Sequence, residues 1–282
     1  MKKLTLFLLA TFLTLVMSGC GAGPSPTATS VPPTPTPVPP TPIPTNTPLP
    51  PTATAAAPKG GAEWDYVPLG DSVAKGWPKL YAAHIEADLG VEVTVHDPTS
   101  GAQSSAGLLS ALRNNQKLRS DIREAEVVTF LVSPKHFQPP IEVDRKVGTC
   151  GGTDNQDCLR EALTLLKADV DAIIAEILSL TSTSDTIIRA MTYHNPMVNQ
   201  WKRKGVFEDL NPYWKAHNEY LVQAASEHNI PVVRVDLAFN GPNGDEDPED
   251  KDYVSDGWHP NDEGDALIAD LHRELGYEPL GP

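Results

Sequence analysis

From Trp64 onward, short apolar runs alternate with longer stretches in which apolar residues return every third or fourth position. Trp64 to Leu69 is predicted as a first strand, and a helix follows from about Pro78 to Leu89. Val91-Glu92-Val93-Thr94-Val95 alternates at the two-residue period of a pleated strand. A Gly/Ser-rich turn and a second helix come next. Glu126 to Val132, "EVVTFLV", is then a nearly continuous β-branched and aromatic run, as expected of a strand buried on both faces. Residues 157 to 180 carry the clearest helical pattern, with Leu159, Leu163, Leu166, Val170, Ile173, Ile177 and Leu180 along one face. A strand at 186 to 192, a helix near 212 to 228, a strand at 231 to 237 and a helix over roughly 261 to 275 complete the series.

Strand–helix alternation without hairpin signals predicts a three-layer α/β/α sandwich around a mainly parallel sheet. In open sheets of this kind, sites form at the carboxyl ends of the strands. On this reading Ser72, Gly101, Ser133 and His194 all fall there.

The first fifth of the chain follows a different pattern. Met1-Lys2-Lys3 precedes an apolar run from Leu4 to Met17, too short to span a bilayer but suited to a signal peptide. The run ends in Val16-Met17-Ser18-Gly19-Cys20, which resembles a bacterial lipobox and implies cleavage before a lipidated Cys20. Residues 21 to 58 hold 14 of the 28 prolines and nine threonines, with no charged residue. Such a segment has nothing to bury and favours extended polyproline II, reaching on the order of 100 Å. The expected organisation is therefore a signal peptide at 1–19, a tether at 20–60 and one globular domain at 61–282. That places the domain outside the cytoplasm, held to a bacterial membrane through its N-terminal lipid anchor alone.

Charge and cysteine content narrow the partners. With Lys2, Lys3 and Lys59 set aside, the domain carries 19 Lys+Arg against 37 Asp+Glu, a net of −18. This argues against nucleic acid or anionic lipid as the main partner. Besides Cys20, only Cys150 and Cys158 occur, bracketing the polar loop "CGGTDNQDC". In an oxidising compartment they are expected to form a disulfide. A zinc site is the weaker alternative, because no histidine lies beside them at ligand spacing.

Two short stretches carry candidate chemistry. Gly70-Asp71-Ser72 closes the first strand, and "VSDGWHPNDEG" leads into the last helix, with Asp256 and His259 two residues apart. A serine hydroxyl becomes a useful nucleophile when a base takes its proton, and that base needs a carboxylate to orient it. A turn between Asp256 and His259 lets the aspartate fix the imidazole, and Pro260-Asn261 suits a helix start.

On these residues the chain resembles the SGNH hydrolases of the GDSL lipase/esterase family, over the whole domain from Trp64. Gly70 to Gly76 matches the GDSxxxG block, Ser100-Gly101-Ala102 resembles the turn glycine after the second strand, and Asp256 to His259 is the DxxH block. The resemblance implies a flavodoxin-like α/β/α fold, a Ser72–His259–Asp256 triad, and oxyanion donors at the backbone N–H groups of Ser72 and Gly101. It implies no metal and no cofactor. Its substrate would be an ester of a lipid, a simple alcohol or an acetylated sugar, and a monomer is expected.

One block departs from the pattern. Where the family carries GxND, whose asparagine is the third oxyanion donor, this chain has "FLVSPKHF", with Ser133, Lys135 and His136 at the motif positions. Lys135 or His136 is one candidate replacement, Asn195 in "TYHNP" is another, and a weak or inactive glycan-binding protein is the alternative reading. His84, His217, His228 and His272 are expected to be helix filler, while His194 and His136 are candidate pocket walls. Trp77, Trp258 and Tyr193 are expected as pocket walls or core. The acidic stretch 240 to 252 is expected to be a solvated loop, since it lacks EF-hand spacing.

Overall fold

The computed structural model describes residues 62–96, 104–137 and 150–281. The signal segment, Cys20, the Pro/Thr stretch and Gly101 lie outside them. The chain divides into two units, Met1–Pro51 and Thr52–Pro282, and every described residue belongs to the second.

Five strands form one sheet: β1 (Glu63–Leu69), β2 (Glu92–Val95), β3 (Val127–Leu131), β4 (Ile187–Met191) and β5 (Val232–Val233). Their order is β2-β1-β3-β4-β5, and every pairing is parallel. The chain moves outward from β1 to β2, then crosses back over β1 to reach β3. Right-handed crossovers in opposite directions put their helices on opposite faces. They also open a crevice where the direction reverses, beyond the carboxyl ends of β1 and β3.

The helices fill both faces. α1 (Trp77–Leu89) connects β1 to β2; α2 (Ser105–Asn114) and α3 (Gln116–Glu124) lead into β3. α4 (Asp157–Leu178) connects β3 to β4, and α5 (Val198–Lys204) and α6 (Phe207–Glu227) lead on to β5. α7 (Val235–Asn240) and α8 (Asp262–Glu274) end the fold. α8 packs against α1, while α4 packs between α2 and α6. Every residue of β3 and β4 is buried, as two covered faces demand, whereas the edge strand β2 is half-exposed. The three-layer sandwich with a parallel sheet predicted from the apolar pattern is thus present.

Departures from the predicted elements have local causes. The stretch 231–237 is not one strand: β5 spans only Val232–Val233, and α7 begins at Val235. Thr192 Oγ1 takes the backbone N–H of Asp236 at 3.1 Å and donates to its carboxylate at 2.7 Å, which ends the ladder. The second helix is divided at Asn115, whose side chain caps α3 through the N–H of Leu118 (3.2 Å). α6 starts five residues before Pro212, because burying Phe207 and Leu210 favours the extra turn despite the missing N–H. The acidic stretch is not wholly solvated either. Asp247 is buried and accepts the backbone N–H groups of Asn199 (2.6 Å) and Glu249 (3.0 Å).

Candidate active site

β1 delivers Ser72 to the crevice. At Gly70 a side chain is excluded, since a Cβ there would lie 2.7 Å from Leu131 Cγ on β3. Asp71 then turns the chain into a short 3₁₀ segment, Ser72–Ala74. Its Oδ1 accepts from Val73 N–H and its carbonyl from Ala74 N–H, both at 3.0 Å. Asp71 is therefore the cap that aims the following serine.

The loop before α8 supplies the candidate base, His259. Asp256 uses Oδ1 to accept the backbone N–H groups of Trp258 (2.9 Å) and His259 (2.7 Å), and Gly257 takes the left-handed conformation (φ 74°) that this turn requires. Asp256 Oδ2 lies 2.6 Å from His259 Nδ1, and His259 Nε2 lies 2.9 Å from Ser72 Oγ. The DxxH spacing thus does two jobs with one carboxylate: one oxygen closes the turn and the other holds the ring. With Nδ1–H donated to Asp256, Nε2 presents its lone pair to the serine hydroxyl. The His259 side-chain hydrogen bond, followed by the backbone N–H bonds, lowers the Asp256 pKa to about 2. The loop is pinned below by the Val254–Pro260 bridge, and Asn261 caps α8 through Gly264 N–H (3.0 Å).

Tyr193 and His194, at the end of β4, join these two segments. Tyr193 Oη donates to Asp71 Oδ2 (3.1 Å) and is itself hydrogen-bonded by the Trp258 side chain. His194 Nε2 lies 3.0 Å from the Trp258 carbonyl, which fixes Nε2–H as the donor. His194 is fully buried, and desolvation lowers its pKa to about 4, so it is a neutral imidazole at ordinary pH. Neither residue is a pocket wall in the simple sense predicted for them: each grips the neighbour of a triad residue. Trp77 belongs to the core, stacked 4.4 Å from His272.

The altered third block is organised around the fold. His136, in the turn after β3, bonds Asp169 Oδ2 (2.9 Å), which also accepts from Ser105 Oγ (2.6 Å). His136 thereby ties β3 to α2 and α4, and the geometry assigns it to that anchor. Asn195 is likewise spent inside the fold: its Oδ1 accepts from Met197 N–H (2.9 Å), and its amide faces Asn211 Oδ1 (3.4 Å). These contacts hold the Asn195 side chain within the fold. Ser133 is buried, and its hydroxyl has no hydrogen-bond partner among the described residues. Lys135 is half-exposed in the turn after β3.

A cavity of about 450 Å³ opens beside the triad, lined by Ser72, Val73, Lys75, Gly76, His259, Pro260 and Asp265. Among the described residues, no group of three His, Cys, Asp or Glu side chains is arranged to hold a metal ion. Cys150 and Cys158 form a disulfide, with Cα atoms 5.1 Å apart, at the start of α4. The sequence pattern did not single out Asp265, which lies six residues after His259.

No family model matches the chain, and neither does any curated protein. Solved structures do. A lipase from a goat rumen metagenome superposes with a TM-score of 0.63 at 20% identity, covering 77% of this chain and 99% of its own. The chain has the fold of the SGNH hydrolases. An α/β hydrolase enzyme from the metagenome of Lake Arreo, Spain, is similar at a TM-score of 0.52 and 16% identity, over 79% of this chain and 98% of that one. The flavodoxin-like strand order and the switch point beside Ser72 are features of this SGNH fold.

Proposed function

We propose that this chain is a carboxylic ester hydrolase of the GDSL/SGNH type that acts through Ser72, His259 and Asp256. The observation that carries the reading is the unbroken contact series from Asp256 Oδ2 to His259 Nδ1 (2.6 Å) and from His259 Nε2 to Ser72 Oγ (2.9 Å). Side chains separated by 187 residues meet there at hydrogen-bonding distance.

In the proposed cycle, His259 Nε2 takes the Ser72 proton as Oγ attacks the ester carbonyl. Asp256 stabilises the resulting imidazolium. The oxyanion is held by the backbone N–H of Ser72, with Gly101 as the second donor that the family resemblance implies and Lys135 as the third. His259 returns its proton to the leaving alkoxide. It then deprotonates a water that cleaves the acyl-enzyme, which restores Ser72 and releases the acid. No redox or metal step enters this cycle. The N-terminal pattern supports work outside the cytoplasm, with the domain carried on a tether from lipidated Cys20; mass spectrometry of the mature N-terminus tests that placement.

Fluorophosphonate labelling and turnover of short-chain p-nitrophenyl esters test the chemistry. Labelling and turnover that both vanish in Ser72→Ala are expected. An unlabelled, inactive native protein would instead favour a glycan-binding role, for which the lost third-block asparagine is the motivating observation.

A further inference from the structure

The cavity beside Ser72 and His259 carries two charged residues, Lys75 and Asp265, and this inference rests on the hydrolase reading above. His259 must return a proton to the leaving oxygen, so the alcohol half of the substrate has to lie next to Nε2. The cavity begins at Ser72 and His259 and continues past Pro260 to Lys75, Gly76 and Asp265. At about 450 Å³ it falls within the roughly 300–1,000 Å³ of small-molecule sites. Val73 and Pro260 give it apolar wall, and Lys75 and Asp265 add one cation and one carboxylate.

Asp265 sits in the first turn of α8, and its carboxylate lies directly on the Cα of Gly76; any Cβ at position 76 would overlap it. The closing glycine of Gly70–Gly76 is thereby accounted for as the seat of this carboxylate. One hydrogen bond comes from the backbone N–H of Trp77, at the start of α1, a helix with no side-chain cap of its own. A carboxylate has about four acceptor positions, so a single N–H leaves capacity to spare. Burial raises the Asp265 pKa to about 6, and among the described residues no salt bridge is formed by its carboxylate. A carboxylate perturbed by burial in a cleft is a candidate binding position. Helix capping alone would account for the Trp77 bond but not for a place on the wall of the cavity that holds Ser72 and His259.

The geometry points to Asp265 as the residue that selects the alcohol half of the substrate, accepting hydrogen bonds from hydroxyl groups adjacent to the scissile ester. The substrate class is an ester of a neutral polyhydroxylated alcohol, such as an acylated saccharide. Lys75 on the same cavity wall donates to such an alcohol and repels a cationic one. The two charges together fit a hydroxylated ring better than an alkyl chain or a quaternary amine.

Two esters with one acyl group test this. Methyl O-acetyl-glucopyranoside and cyclohexyl acetate share a six-membered ring but differ in hydroxyl groups. The native enzyme is expected to favour the sugar ester at least tenfold in kcat/KM. Asp265→Asn keeps an oxygen for Trp77 N–H and turns an NH₂ toward the cavity, so the preference should fall about tenfold, chiefly through KM. An equal preference in native enzyme and variant would overturn the inference. So would a native enzyme that is labelled at Ser72 by fluorophosphonate yet shows no preference, and in that case the hydrolase reading survives. A protein neither labelled nor active on either ester overturns both. The native comparison decides even if the variant fails to fold.

Discussion

His194 donates its Nε2–H to the carbonyl of Trp258 across 3.0 Å, so the last residue before His259 hangs from the end of β4. The preceding residue, Tyr193, holds Asp71, which directly precedes Ser72. Ser72 and His259 thus take their separation from two consecutive buried residues at one strand end. A site built this way resists the misplacement by about 1 Å that can cost a hundredfold in rate.

Removing that hold should therefore lower turnover more than stability. For His194→Ala we expect kcat on p-nitrophenyl acetate to drop at least tenfold with KM little changed, and for His194→Asn, which keeps a donor, a smaller loss. Kinetics beside circular dichroism on each variant check this. Equal kcat in native protein and His194→Ala would remove the positioning role.

Tyr193→Phe acts mainly on stability. It leaves Asp71 Oδ2 buried without its donor, and such a group costs about 1–3 kcal/mol. Urea denaturation should show that loss with an unchanged m-value.

Asp256→Asn keeps the shape of the turn but offers His259 Nδ1 a choice of donor or acceptor. The imidazole can then present Nε2–H to Ser72, the wrong tautomer for a base. A fall in kcat of about 10²–10⁴ is expected. Activity should not return on raising the pH, which a simple titration change would allow.

Asp265 makes stability fall with rising pH over a defined window. Its folded pKa of about 6 lies above the usual carboxylate value of 3.8, so the folded protein binds the proton more tightly. The stabilisation is complete below about pH 3.8 and is lost as pH rises through 6. Asp256 has the opposite sign, but its lowered pKa places its effect below pH 3.8, outside that window. The unfolding free energy of Asp265→Asn, relative to native, should thus rise between pH 4 and 6 and level off above.

Opening the disulfide should loosen the entry to α4. By loop-closure entropy, the loop between Cys150 and Cys158 is worth about 2.5 kcal/mol. The double Cys→Ser variant should melt lower while keeping its kinetics, since among the described residues no hydrogen bond or ion pair joins Ser72, Asp256 or His259 to the loop.

The strong periodic signals in the sequence located most of the fold. β3 and β4 are visible because strands covered on both faces must be apolar throughout, and α4 because seven residues recur on one face. The 231–237 stretch misled because its apolar residues suit either state; the Thr192 hydroxyl, 44 positions away, decides for a helix at Asp236. The three proposed triad residues could be picked out because turn chemistry is local: Asp256 and His259 sit within one turn, and Ser72 follows its own cap. Tyr193, His194 and Asp265 were not. Their roles exist only once β4, the His259 loop and the start of α1 converge, and no residue spacing encodes that meeting.

α1 and α8 pack together through the Trp77–His272 stack and the Arg273–Asp88 ion pair (2.8 Å), so the first and last helices of the domain are neighbours. A ribosome makes Ser72 187 residues before His259. On the proposed reading, the nascent domain would hold a serine with no base to activate it until the His259 loop and α8 dock. A product truncated before His259 would then be chemically silent.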